Sequence, residues 1–310
     1  MPSFLDFDEV IMGKILENVG FEEIISLRKT CRDLRNYIDD KKPDSKIFSI
    51  KILATVAQVT VEIDDRIRIF YQKNLIIFQK NDIEIRRKFM KKMDIFEIFR
   101  KDFESILSFQ KSKLAVFQIQ NLTFRTTIFG KLRPLKVENF SVESLEILEI
   151  LQYLDPKILK VLSISGRKNE ENEHEELKIW EDFLKKFENL EELIIENFWI
   201  SDSITKFSNL KKVNLVLDSV NCTDLMKFKK AALRSPTFNH AHFHYRTFED
   251  HSQLSAIFGV QFSERKRENY CHFRCLNDPK VLIICVNSLK NYIYFSLIED
   301  FWLDEDVLLY

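Results

Sequence analysis

Glycine is the residue this chain does almost without: five in 310, at Gly13, Gly20, Gly130, Gly166 and Gly259. An average chain has about 7%. A loop that cradles phosphate needs backbone close to the anion, often at positive φ, and glycine supplies both. No two of the five fit G-x-G-x-x-G or G-x-x-x-x-G-K-[ST], which excludes the nucleotide-binding loops built on those patterns. G-x-S-x-G is absent too, so no nucleophile elbow is present. Six prolines and 45% apolar residues, including 28 Phe, describe a packed chain and not a disordered one.

The length suits one large domain or two to three smaller ones. Its 47 basic and 48 acidic residues nearly cancel, to a formal net charge of −1. That balance gives no electrostatic reason to expect nucleic acid or an anionic membrane as partner. Cys31, Cys222, Cys271, Cys275 and Cys285 are odd in number and unpatterned, as reduced thiols of the cytoplasm or nucleus would be. The stretch MPSFLDFDEV carries acids where a secretion signal carries bases. The longest purely apolar run, Val281–Val286, is far too short to span a bilayer. A soluble intracellular protein is the expectation.

Three short helices are expected before Pro43. Asp8 can cap the first, whose apolar positions Ile11, Met12, Ile15, Leu16 and Val19 follow a three-four rhythm up to Gly20. The second starts near Phe21 and carries Ile24, Ile25 and Leu27; the third, from about Cys31, adds Leu34, Tyr37 and Ile38. A piece this small needs its apolar surface covered, by the rest of the chain or by a partner. The segment FLDFDEVIMGKILENVGFEEIISLRKTCRDLRNYIDD resembles the F-box, the helical module that docks substrate receptors onto a Skp-type adaptor, and through it a cullin, in SCF ubiquitin ligases. The resemblance implies an F-box over residues 1–42, with Phe7, Ile11, Ile15, Leu16, Ile25 and Leu27 as adaptor-binding contacts. The family's usual Leu-Pro pair is here Phe7-Asp8.

Residues 43–112 are expected to form a linking β-meander and a helix. Val59, Val61 and Ile63, then Ile67, Ile69 and Tyr71, alternate with polar residues about Asp64-Asp65, which reads as a hairpin; Leu75–Phe78 supplies a third strand. Phe96, Phe99, Phe103 and Ile106 recur at three and four, which predicts an amphipathic helix over 94–111. The basic run Lys80, Arg86, Arg87, Lys88, Lys91 and Lys92 reads as a solvated face interleaved with core residues Phe89 and Met93. It lacks stacking aromatics at the spacing of an RNA-binding sheet.

From residue 113 to 310 a template L-x-x-L-x-L-x-x-φ, φ being apolar, recurs from Leu114, Leu132, Leu159, Leu190, Leu210 and Phe238, at intervals of 18 to 31 residues. Helical patterns fill gaps: Leu145, Leu148 and Leu151; Trp180, Phe183, Leu184 and Phe187; Leu225, Phe228 and Ala232. Strands alternating with helices at this period predict a mixed α/β class, an irregular leucine-rich-repeat-like solenoid on a parallel sheet. YLDPKILKVLSI, LEELII, LKKVNL, LRSPTFNHAHFHY and PKVLIICVNSLKNYIYFSLIE resemble the FTH domain of nematode F-box proteins. That resemblance implies a C-terminal region that captures a target protein, with no catalytic residues.

On parallel strands, residues flanking the buried positions share one polar face. The candidate target-binding residues are therefore Gln118, Lys136, Glu192, Glu196, Lys212, Asn214, His240, His242 and His244. Three His at i, i+2 and i+4 on one flat strand converge poorly on a metal, and the C-x-x-x-C of Cys271 and Cys275 has no downstream pair, so no metal or cofactor is expected. The reading is a non-catalytic substrate-recognition subunit of an SCF-type ubiquitin ligase, binding adaptor and target, with neither nucleic acid nor membrane. The alternative is a non-degradative interaction scaffold with a degenerate F-box, to which Phe7-Asp8 points.

Overall fold

The computed structural model describes residues 8–90, 94–120, 134–143, 147–166, 175–177, 185–259, 268–275 and 279–299. They fall into two compact units, Met1–Leu159 and Lys160–Tyr310.

The first unit opens with helices α1 (Glu9–Glu17), α2 (Phe21–Leu27) and α3 (Arg32–Lys41). Each begins where the sequence offers an acceptor to an orphan N–H. Asp8 Oδ1 accepts from Val10 N at 3.1 Å, Glu23 closes α2 back onto Gly20 N at 3.0 Å, and Cys31 Sγ accepts from Leu34 N at 3.4 Å. Lys42 ends α3 in the left-handed region, φ 45°, just ahead of Pro43. Strands β1 (Ser49–Ala54), β2 (Gln58–Ile63), β3 (Ile67–Gln72), β4 (Leu75–Lys80) and β5 (Ile83–Phe89) follow, then α4 (Ile95–Ser108), β6 (Leu114–Gln120), β7 (Val137–Glu143) and α5 (Ile147–Leu151). The sheet order is β7-β6-β1-β2-β3-β4-β5. β1, β6 and β7 run parallel to one another, whereas β1 to β5 form an antiparallel meander.

Phenylalanine builds the core on one side of this sheet. Tyr71 on β3 meets Phe99 on α4 edge-on at 5.6 Å; Phe99, Phe103, Phe117 and Phe140 continue the chain of rings at 5.4, 6.2 and 5.5 Å, through α4, β6 and β7. Large rings fill space between helix and sheet with few side chains. Phe109, just past α4, leaves that layer and enters the helical cluster of Met12, Leu16, Ile24, Leu34 and Ile38, with the Arg28 guanidinium 5.3 Å from its ring centre. Asp44 fastens the same junction by accepting from Lys111 N at 2.9 Å and Ser112 N at 3.2 Å.

The second unit contains β8 (Val161–Ser165), the two-residue β9 (Glu175–Glu176), β10 (Glu192–Glu196), the two-residue β11 (Phe198–Trp199), β12 (Lys212–Asn221), α6 (Cys222–Arg234), β13 (His240–Glu249), α7 (Leu254–Phe258), β14 (Asn269–Arg274), β15 (Lys280–Asn287) and β16 (Tyr292–Glu299). Its main sheet has the order β14-β15-β16-β13-β12-β10-β8. Four strands, β8, β10, β12 and β13, are parallel; β16, β15 and β14 then pair antiparallel. Phe228 of α6 packs edge-on against Phe243 of β13 and Phe295 of β16, at 5.1 and 5.0 Å.

The leucine-rich-repeat-like solenoid is thus corrected: the fold is mixed α/β, dominated by sheet, without a solenoid. Described template copies do fall on strands β6, β7, β8, β10, β12 and β13. A solenoid would add each strand to the last in one direction. Here β16 returns from about fifty residues downstream to lie antiparallel beside β13, and the first unit's sheet ends in a meander. The period registers a buried strand and its spacing, and carries no information on which strand lies next to it. A second correction concerns Phe89, expected in the core: it is 77% exposed on edge strand β5. Met93, and the helix pattern over Trp180, Phe183 and Leu184, lie outside the described residues.

Candidate functional site

Two surfaces carry the chemistry expected from the sequence, one in each unit. On the helical surface, α1 sends Met12 and Leu16 inward and leaves Val10 and Ile11 outward, 63% and 47% exposed. Apolar side chains held open on a capped helix are a docking feature, since nothing among the described residues of their own unit covers them. The candidate contacts divide accordingly. Ile11 is exposed; Ile15 and Ile25 are half-buried; Leu27 packs against the cluster that buries Leu16. Leu16 is 3% exposed, so its contacts are internal ones. Phe7 lies outside the described residues. Val10 was not among the expected contacts, although it precedes Ile11 on the same turn. An apolar stripe read by period alone cannot say which edge of it faces out.

In the second unit, the polar face of the mixed sheet gathers the candidate residues of β10, β12 and β13. Register places Glu192 beside Lys212 and Lys212 beside His240; Asn214 beside His242; Val216 beside His244. Glu192 and Lys212 form an ion pair at 3.0 Å, and Glu196 is exposed at the end of β10. Gln118 and Lys136 belong to the first unit: Gln118 is half-buried on β6 and Lys136 exposed just before β7.

The antiparallel return of β16 adds residues absent from the sequence reading. Tyr294 stands opposite His242, and Tyr292 opposite His244. Five rings meet there. His242 lies 4.5 Å from His244, 5.2 Å from Tyr292 and 6.0 Å from Tyr294, centre to centre; both tyrosines meet it nearly at right angles, 77° and 83°. The phenols of Tyr270 and Tyr292 donate to Glu268 at 2.5 and 2.7 Å. The signal existed in Y-I-Y at 292–294, an alternation complementary to H-A-H-F-H once the two strands are known to be neighbours.

Burial disfavours the charged imidazole, and the neighbouring His244 and His240 disfavour it further, so the pKa of His242 falls to about 4. Burial lowers His244, and burial together with Lys212 lowers His240. At neutral pH this row of histidines is uncharged. Among the described residues no three His, Cys, Asp or Glu are grouped to hold a metal ion. The thiols face a dry interior: Cys222, Cys271, Cys275 and Cys285 are buried, and burial raises Cys271 to about 11.

Comparison with known families separates the two surfaces. The F-box family model matches residues 4–46, and the FTH domain model matches residues 120–262. The chain carries an F-box followed by an FTH domain. The F-box match contains α1, α2, α3 and the exposed pair Val10 and Ile11. The FTH match runs through β13 and α7 and stops before β14, so Tyr270, Tyr292 and Tyr294 lie beyond it. Neither the curated proteins nor the solved structures yield a match to the chain. Among the described residues no helix is long and apolar enough to cross a membrane.

Proposed function

We propose that this F-box and FTH-domain protein is a substrate-recognition subunit of an SCF-type ubiquitin ligase. Its F-box docks on a Skp-type adaptor, which links it to a cullin, and its FTH region captures a target protein. The observation that carries the reading is the F-box match over three capped helices whose first turn holds Val10 and Ile11 open. The mechanism is proximity: tethering raises the effective concentration of target lysines near a ubiquitin-loaded enzyme, and the bond-making chemistry belongs to other subunits. Such work takes place in the cytoplasm or nucleus, in keeping with the buried thiols of Cys222, Cys271 and Cys285, whose protonated form burial favours.

Co-expression with a Skp-type adaptor tests it. The wild-type chain is expected to co-purify, and Val10→Asp with Ile11→Asp to weaken the complex by about 2 kcal/mol or more, near thirtyfold, while the helices remain folded. Leu16→Asp does not serve, because it would charge the interior of the helical cluster. Failure of the wild type to co-purify, or indifference to the double substitution, refutes docking through this face. The second reading, a scaffold that binds a partner without promoting its degradation, draws on Phe7-Asp8 in place of the family's Leu-Pro pair. It predicts a bound partner whose abundance does not rise when this protein is depleted.

A further inference from the structure

The five-ring face of the second sheet has a charge pattern that points to one kind of ligand. Its aromatic groups, His240, His242, His244, Tyr292 and Tyr294, are all at least partly accessible. The right-angle contacts around His242 leave ring faces standing as walls instead of being used up in a stack. Ring faces are electron-rich and attract ammonium and guanidinium groups. Tyr292 is richer than a free phenol, because its hydroxyl donates to the Glu268 carboxylate.

The charged groups facing this floor come from every neighbouring strand. On β12, Lys212 is held by Glu192 of β10, and Asp218 lies 3.7 Å from Arg246 of β13. On the far side Glu268 lies between Tyr270 and Tyr292, with Lys290 in its field. The cations of the β10, β12 and β13 side are thus matched by acids, whereas Glu196 is exposed and makes no ion pair among the described residues. An anion placed here meets imidazoles that burial keeps neutral and that offer it no charge, whereas a cation finds ring faces and a carboxylate without an ion pair among the described residues.

We propose that this face receives an extended segment of a captured protein carrying Arg or Lys at alternate positions, whose cationic heads lie over His242, Tyr292 and Tyr294 and reach toward Glu196. The geometry suits an extended chain: alternate residues of a strand are about 6.8 Å apart, so side chains at i and i+2 of the ligand match successive rings of β13 and β16. The proposal rests on the reading of the C-terminal half as the capturing part, and names the chemistry it captures.

The test uses the purified full chain and two labelled peptides, Arg-Ser-Arg-Ser-Arg-Ser-Arg and its Glu-Ser counterpart, in anisotropy titrations at physiological salt. The Arg peptide is expected to bind at pH 7.5 at least tenfold more tightly than the Glu peptide. Its affinity is expected to decline as pH is lowered through 5 toward 4, where His242 begins to charge and repel it. Tyr294→Ser and His242→Ser should each weaken binding about tenfold, and Glu196→Gln severalfold, while Arg86→Ser on β5 of the other unit should not. Thermal unfolding of each variant reports folding, and adaptor co-purification is measured on the same preparations. Preference for the Glu peptide, tighter binding at pH 5, or an Arg affinity unmoved by Tyr294→Ser and Glu196→Gln in folded protein overturns the proposal. Lost peptide binding with retained adaptor binding refutes this site alone; the converse refutes adaptor docking alone.

Discussion

Replacing Phe109 by Ala should loosen the F-box although Phe109 lies more than sixty residues beyond it. The ring is 3% exposed and forms one wall of the cluster made by Met12, Leu16, Ile24, Leu34 and Ile38. A buried Phe removes about 150–250 Å² from water, which at about 25 cal/mol per Å² is about 4–6 kcal/mol as an upper bound. Core Phe→Ala truncations cost about 3–5 kcal/mol, cavity included. The guanidinium of Arg28 over the ring adds about 0.5–1 kcal/mol. A loss near 4 kcal/mol is therefore expected, and it should fall on the helices more than on the sheet, whose Phe99–Phe103–Phe117 layer does not include Phe109. Amide hydrogen exchange reads this directly: protection of α1, α2 and α3 should drop by roughly a thousandfold, with β2 and β3 changed far less. A uniform loss across the first unit would show that helices and sheet open together, and a loss of less than about 1 kcal/mol would show that the helices hold together without this ring.

Three further outcomes can be measured on the same preparations. Burial works against ionisation of Asp44, but N–H donors from Lys111, Ser112 and Lys46 outweigh it and hold its pKa below the ordinary carboxylate value. A depressed acid stabilises above its unfolded pKa of about 3.9, and that contribution disappears as pH falls through the folded value. Asp44→Ala should thus cost about 1–2 kcal/mol at pH 7, a cost that should shrink in urea titrations as pH falls below about 3.9. Gly166→Ala would bring a Cβ to 2.6 Å from the Asn197 carbonyl oxygen and 3.2 Å from the Phe198 ring, so a loss of about 1–3 kcal/mol is expected in thermal unfolding of the second unit. At Asn81, φ 48°, a β-branched Val should cost about 1–2 kcal/mol, whereas Gly should be neutral or better; equal effects of the two would refute a backbone origin.

Local chemistry was legible wherever a single element decides it. Asp8 and Cys31 mark helix starts that the caps bear out, whereas Gly20, expected to end α1, instead caps α2; the alternation from Val59 to Tyr71 is a hairpin with register Val59 to Tyr71 and Val61 to Ile69. The expected helix over 94–111 is α4, three residues shorter at its end, where Phe109 turns toward the helices. What the sequence left hidden is adjacency. β1 was missed because SIKILA alternates only over Ser49 to Ile52 and ends in a run of three apolar residues. β16 beside β13, which brings Tyr292 and Tyr294 to the histidines, is a pairing between segments fifty residues apart, and no local period encodes it. The same blindness produced the solenoid expectation and put Leu16 and Ile11 in one list, although one faces the core and the other the solvent.

The shortage of glycine has a consequence at the hairpin tips. Among the described residues, eight of the ten non-glycine residues at positive φ are Asn or Asp, including Asp64, Asp65, Asn81 and Asp82. A glycine there would relax the backbone and do nothing else, whereas Asp64, Asp65 and Asp82 have side chains that reach back to particular strand positions. Asp64 Oδ1 accepts from Phe48 N and Ser49 N at 2.8 Å each; Asp65 pairs with Lys51 at 2.6 Å; Asp82 pairs with Arg68, which also holds Glu62 at 3.0 Å. Sliding a strand by a residue would break the contacts that its neighbouring tip makes with it, in addition to turning the buried face outward. The tips therefore act as alignment keys: the meander's pairing is written twice, once in its interior and once in its turns, and an error in either copy is opposed by the other.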